Sequence, residues 1–291
     1  MYFGDLGGQA FRIDLNNMAK KEGVETDEDL KAKFSTRIVR LIDQHVAGGE
    51  SPRFYEMPSF SVHRDSTLGL FGVLALSSGD RSSPLSGAVG GNGPSVEKGA
   101  SASADDGIFV VYDKDIGESA LYANGYSLKT KPVALSPLKN SYAAGVAVSQ
   151  GGWFYRYGNG AGKGVYKGMN SVYAVDSILY ANVFHRDGVG VGGNCGAGVK
   201  GDSYLYRFCL PTGNCTGRFD SPLNSTGEPD RVKLGVGIVG SGLGSTSGGN
   251  SIKNTVPNGV DCKIADNKNK IECQEFTTAG KIRQLRWYET R

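Results

Sequence analysis

Short runs of aromatic and branched apolar residues follow one another along this chain, separated by glycines and other turn residues and without helical patterns between them. Parallel strands need a crossover of a dozen or more residues, usually a helix, so strand following strand predicts antiparallel sheets. The predicted strands are Arg37 to Ile42, Phe54 to Val62, Leu70 to Leu76, Ile108 to Tyr112, Trp153 to Tyr157, Ser171 to Val175, Ile178 to Phe184, Tyr204 to Phe208, Leu234 to Val239 and Ile282 to Tyr288. Before them, Met1 to Leu15 reads as strand, glycine turn (Gly4-Asp5-Leu6-Gly7-Gly8) and strand. There Ala10, Arg12 and Asp14 alternate against Phe11, Ile13 and Leu15, giving one buried and one wet face. Between Val175 and Ile178 only Asp176-Ser177 intervenes, a two-residue hairpin loop that is not of the preferred Asn-Gly type.

With 44 Gly, 14 Tyr and 12 Phe in 291 residues, the composition suits many short strands on tight turns, and the length is enough to bury a real core. One short inserted helix is expected between about Met18 and Lys33, where Thr26 caps a turn with Asp29 three residues on. The stretches Ser86 to Asp106 and Gly240 to Asn258 are Gly, Ser and Asn rich and read as long surface loops, suited to partner contacts.

The net charge of +3 is spread along the chain and forms no basic patch for phosphates, so nucleic acid is not an expected partner. No run approaches the roughly 18 apolar residues of a membrane span, and the N-terminus lacks the pattern of a signal peptide. The cysteines, Cys195, Cys209, Cys215, Cys262 and Cys273, all fall in the last third, which favours disulfides and an oxidising compartment. Cys262 with Cys273 closes one loop, and Cys209 and Cys215 flank a turn; Cys195 is then left over, or pairs with Cys209 or Cys215 instead. No Cys or His spacing suits zinc, because His45, His63 and His185 are scattered and far from the cysteines.

Two segments, Gly188 to Gly193 and Gly235 to Gly240, fit the G-x-G-x-x-G pattern of a dinucleotide site, but neither leads into a helix whose N-terminus could meet a pyrophosphate. Gly158 to Gly164 is one residue short of a phosphate loop and has Gly164 where the magnesium-binding hydroxyl belongs. Asp105-Asp106, Asp113-Lys114-Asp115 and the stretch Asp261 to Glu275, with Asp266, Asn267 and Asn269, offer too few alternating oxygens for calcium and read as solvated turns. No nucleophile, base and orienting group converge, so no catalytic residue and no bound cofactor or metal is expected within this chain.

Taken in order, Tyr2 to Leu6, Ser35 to Leu41, Pro52 to Tyr55, Ser78 to Leu85, Gly107 to Asp113, Gly152 to Tyr155, Cys195 to Gly201 and Arg286 to Glu289 make a series of motifs spread over nearly the whole chain. In that order and spacing the chain resembles the PilY/PilC family of type IV pilus tip and biogenesis proteins. The resemblance implies an all-β, propeller-like domain of quinoprotein-like antiparallel blades spanning residues 1–291 and incomplete at its N-terminus; a plain β-sandwich is the alternative. It also implies a calcium loop just upstream of Met1, outside this chain. The implied role is non-enzymatic: an exported component at the pilus tip, outer-membrane surface or periplasm that docks minor pilins, supports assembly, counters retraction and mediates attachment to a host or surface receptor. The competing readings are a quinoprotein-type oxidoreductase and a carbohydrate-binding module built on Trp153, Phe154, Tyr155, Tyr157, Trp287 and Tyr288.

Overall fold

The computed structural model describes residues 1–15, 35–47, 49–85, 106–121, 126–130, 132, 134–138, 145–160, 164–191, 200–218, 229–246, 251–257 and 259–277. The expected helix at 18–33, the strand at 282–288, Cys195 and Asp105 lie outside the described residues, as does most of the stretch from Ser86 to Asp106.

The described chain is almost entirely β and forms four sheets in chain order. Sheet I is β1 (Tyr2–Gly4), β2 (Gln9–Leu15) and β3 (Ser35–Asp43). Sheet II holds β4 (Ser59–Asp65), β5 (Gly69–Ser77), β6 (Gly107–Asp113), β7 (Ser136–Pro137) and β8 (Gly152–Arg156), in the order β4-β5-β6-β8-β7. Sheet III has β10 (Tyr173–Val175), β11 (Ile178–His185), β12 (Asp202–Cys209) and β13 (Asp230–Val236) in sequence order, with β9 (Tyr166–Gly168) also against β11. Sheet IV is β14 (Leu243–Ser245), β15 (Ser251–Asn254) and β16 (Glu275–Thr277). Every pairing is antiparallel except the two-residue contact of β7 with β8.

Period-two alternation explains how the sheets stack. On β5, Phe71, Val73 and Ala75 join the core shared with sheet III, while Leu74 and Leu76 join the core shared with sheet I. The same division holds on β6, where Ile108, Val110 and Tyr112 face sheet III and Phe109 and Val111 face sheet I. On sheet III, Leu179, Ala181, Val183, Tyr206 and Phe208 face sheet II, whereas Ile178, Tyr180 and Leu205 pack with Ile271 and Phe276 of the sheet IV region. Sheets II and III are therefore buried on both faces, which is why β5, β6, β11 and β12 read as nearly continuous apolar runs. Trp153, with no exposed surface, packs its ring 5.7 Å from Phe208 and donates Nε1–H to the Pro211 carbonyl at 2.7 Å, so its one polar group is satisfied inside the core.

The opening hairpin forms as expected, with Phe3 opposite Phe11. Its buried face, however, is the one that carries Ala10, Arg12 and Asp14, while Phe11, Ile13 and Leu15 are only half-buried. The predicted strand from Phe54 to Val62 begins only at Ser59, because Pro58 lacks the N–H a ladder needs. Asp176 and Ser177 both adopt positive φ, 48° and 58°, as a two-residue turn between twisted strands requires. The expected loop at Gly240 to Asn258 is not a plain loop: β14 and β15 lie within it, and Ile252 opposite Phe276 packs into the core between sheets III and IV.

Candidate functional site

Each pair of neighbouring sheets is tied by buried polar groups. Between sheets I and II, the Arg12 guanidinium donates Nη1–H to Asp113 Oδ2 at 2.6 Å and Nε–H to Asp14 Oδ1 at 2.7 Å. Arg37 reaches Asp14 Oδ2 at 2.6 Å, and the Tyr2 hydroxyl donates to Asp113 Oδ2 at 2.9 Å. Asp115 accepts from the Lys129 amide at 2.7 Å, the Tyr126 hydroxyl at 2.9 Å and the Thr130 amide at 3.0 Å. Burial opposes ionisation of Asp115, but those amides, that hydroxyl and Arg12 outweigh it and hold its pKa below the ordinary carboxylate value. Burial first, and the Asp113 carboxylate second, push the Tyr2 hydroxyl well above its ordinary range. Asp113 and Asp115 are thus not solvated turn residues: a guanidinium stands where a metal cation would otherwise be drawn.

Between sheets II and III the carboxyl of Asp106 is enclosed. The Ser78 hydroxyl donates to Asp106 Oδ1 at 2.8 Å and accepts from the Gly107 amide at 3.0 Å. Burial raises the Asp106 pKa to about 7, against the lowering effect of Ser78 and Lys167. It too is a core carboxyl rather than the solvated turn its neighbourhood suggested. Nearby, the buried Lys167 ammonium donates to the Ser83 carbonyl at 2.9 Å and Arg186 donates to the Leu85 carbonyl at 3.1 Å, so two cations hold the chain leading up to residue 86. The Ser77 and Tyr157 hydroxyls share a hydrogen bond of 2.6 Å beside them.

Between sheets III and IV, Arg207 pairs with Asp230 and donates Nη1–H to the Asn269 carbonyl at 2.9 Å and to Gln274 Oε1 at 3.0 Å. The Tyr180 hydroxyl donates to the same Gln274 oxygen. Burial raises the Asp230 pKa, with Arg207 opposing it. None of these three clusters joins a nucleophile to a base; their chemistry is that of registering sheets, since a buried pair is satisfied in only one alignment.

Cys209–Cys215 and Cys262–Cys273 are disulfide-bonded. In the stretch from Asp261, the Asp261 carboxylate accepts from the Lys263 amide at 3.0 Å and the Asn267 amide group donates to the Asp261 carbonyl at 2.9 Å, so these oxygens close a local turn. Among the described residues no group of three His, Cys, Asp or Glu side chains is placed to hold a metal. Trp153, Tyr155 and Tyr157 are core residues. Phe154 is half-buried under the Arg156 guanidinium, 4.9 Å from its ring centre.

The two glycine motifs come together at one end of sheet III. In the first, the Val189 amide donates to Asp202 Oδ2 at 3.2 Å; in the second, the Gly237 amide donates to the Gly201 carbonyl at 2.8 Å and the Val239 amide to Ser203 Oγ at 2.9 Å. Gly190 and Gly237 have φ of 62° and 77°, which explains their identity. Both loops therefore rest on consecutive residues at the start of β12, and neither leads into a helix. Sequence patterning marked the motifs but not their convergence, which depends on the register of β11 and β13 against β12.

Successive antiparallel sheets, stacked face to face and tied by buried pairs, define an all-β, propeller-like protein. No family model matches the chain, and no curated protein matches it. Its fold is similar to that of the crystal structure of the Pseudomonas aeruginosa PilY1 C-terminal domain, with a TM-score of 0.51 and 11% sequence identity, over 87% of this chain and 55% of that one. The chain thus spans about half the length of that solved domain. The two disulfides fit an exported protein, and among the described residues no helix is long and apolar enough to cross a membrane.

Proposed function

We propose that this chain is a non-enzymatic scaffold of a type IV pilus system, exported and located at the pilus tip, the outer-membrane surface or the periplasm. The observation that carries this reading is the fold likeness to the PilY1 C-terminal domain over 87% of the chain, in the same direction as the ordered motifs from Tyr2 to Glu289. A stack of sheets with both inner faces filled is rigid, and its loops are free to vary without disturbing the core. In this role it docks minor pilin subunits, supports assembly against retraction and aids attachment. The aromatic residues that a carbohydrate platform would need at Trp153, Tyr155 and Tyr157 are committed to the core, which disfavours that alternative.

The test is an in-frame deletion of residues 1–291 at the native locus, with surface pili counted in strains with and without the retraction motor. Loss of pili that is restored when retraction is removed supports the scaffold role. Unchanged pilus number and twitching motility in both backgrounds overturns it.

A further inference from the structure

The paired glycine loops expose an aliphatic tip. Val189 is 85% exposed, Val191 63%, Ile238 54% and Val239 38%, on two loops that rest on the adjacent residues Gly201, Asp202 and Ser203. Their backbone is held from below. Ser203 Oγ donates to the Gly237 carbonyl at 2.6 Å, and Asn182 accepts from the Ser241 amide at 2.7 Å and donates back to its carbonyl at 3.1 Å. The exposure therefore belongs to anchored turns, and glycine backbone with little side-chain polarity surrounds it. Lys200 is exposed next to Gly201 and Lys233 is 47% exposed beside Asp202, while Asp187, the acid of the first loop, is paired with Arg186 at 2.9 Å.

We propose that these two loops form an apolar insertion tip for an anionic phospholipid bilayer. Protein interfaces are anchored by aromatic, Met and Arg side chains, none of which is among the tip residues. A second copy of the chain would meet four aliphatic side chains, far less than the roughly 800 Å² per partner of a stable interface. A bilayer accepts protruding Val and Ile without shape matching, and Lys200 and Lys233 complement its headgroups. Binding through one such tip is reversible, and it is independent of the pilus reading.

The experiment is sedimentation of the intact chain with vesicles of phosphatidylethanolamine and phosphatidylglycerol, and with phosphatidylcholine vesicles. The native chain is expected to bind the anionic vesicles, more weakly at high salt. The combined Val189→Ser, Val191→Ser, Ile238→Ser and Val239→Ser variant is expected to bind at least about tenfold less, since each buried aliphatic side chain is worth roughly a factor of ten. Unaltered circular dichroism and melting temperature show that the variant is folded. A second variant, Val189→Trp, is expected to shift its fluorescence to the blue when anionic vesicles are added. Failure of the native chain to bind either vesicle, equal binding by the serine variant, or an unshifted tryptophan overturns the proposal. So does self-association of the native chain that the serine variant abolishes, since the tip would then contact a second copy.

Discussion

Replacing Asp106 by Asn removes one buried titrating group while keeping an acceptor for the Ser78 hydroxyl. The native carboxyl titrates at about 7 in the folded chain, against about 3.9 when unfolded. That difference of roughly three pH units, at about 1.4 kcal/mol each, amounts to about 4 kcal/mol. Because the folded value is the raised one, the folded state holds the proton more tightly. Its contribution to stability is complete below about pH 4, falls as pH rises, and is lost once pH passes about 7. The groups around it are Lys167, Asp80, Arg156 and Tyr157, and only the native minus variant difference isolates Asp106 from them. Urea unfolding of both proteins at pH 5 and pH 8 is the assay. The Asn variant is expected to gain on the native chain by about 3 kcal/mol between those two values, since part of the linkage is already expressed at pH 5. A gap that does not change with pH refutes the enclosed carboxyl.

Arg12→Met leaves Asp113 and Asp115 buried without their guanidinium and is expected to cost about 3–5 kcal/mol in urea unfolding; adding Asp113→Leu to it restores much of the loss, and a loss under 1 kcal/mol for the single variant contradicts the buried pair. Gly152→Ala places a Cβ 2.0 Å from the Val110 carbonyl at a φ of 140°, so a fall of more than about 2 kcal/mol, with the β6–β8 pairing loosened in hydrogen exchange, is expected. Replacing both Cys262 and Cys273 by Ser opens a loop of sequence separation 11 and is expected to cost about 3 kcal/mol on the loop-entropy account. Thermal melts with and without reductant check this, and a melting temperature unmoved in both refutes it.

Where strands lie was legible because a strand's signal is local. Leu70 to Leu76, Ile108 to Tyr112 and Ile178 to Phe184 are continuous apolar runs bounded by turns, and each forms a strand within a residue or so of its expected ends. The bonded cysteine pairs were legible for the same reason, each closing a short stretch of chain. Short strands escaped notice: β14 and β15 lie in Gly and Ser rich sequence and exist because Ile252 finds Phe276 across the sheet. Asp106, Asp113 and Asp115 looked like turn residues, since nothing near them in sequence marks the groups that enclose them.

The sequence by itself determined the all-β class, the antiparallel pairing and the alternation of side chains on every long strand, because a two-residue period is a property of the backbone and needs no partner. Which face of each strand is buried, and against what, was decided only by the tertiary structure. Alternation on β2 separates Arg12 and Asp14 from Phe11 and Ile13, yet the charged face turned inward because Asp113, 101 residues away in sequence, arrives on sheet II to receive the guanidinium. In the same way the two glycine motifs were visible as strings of letters, but they became one surface only when β11 and β13 took their register on either side of β12.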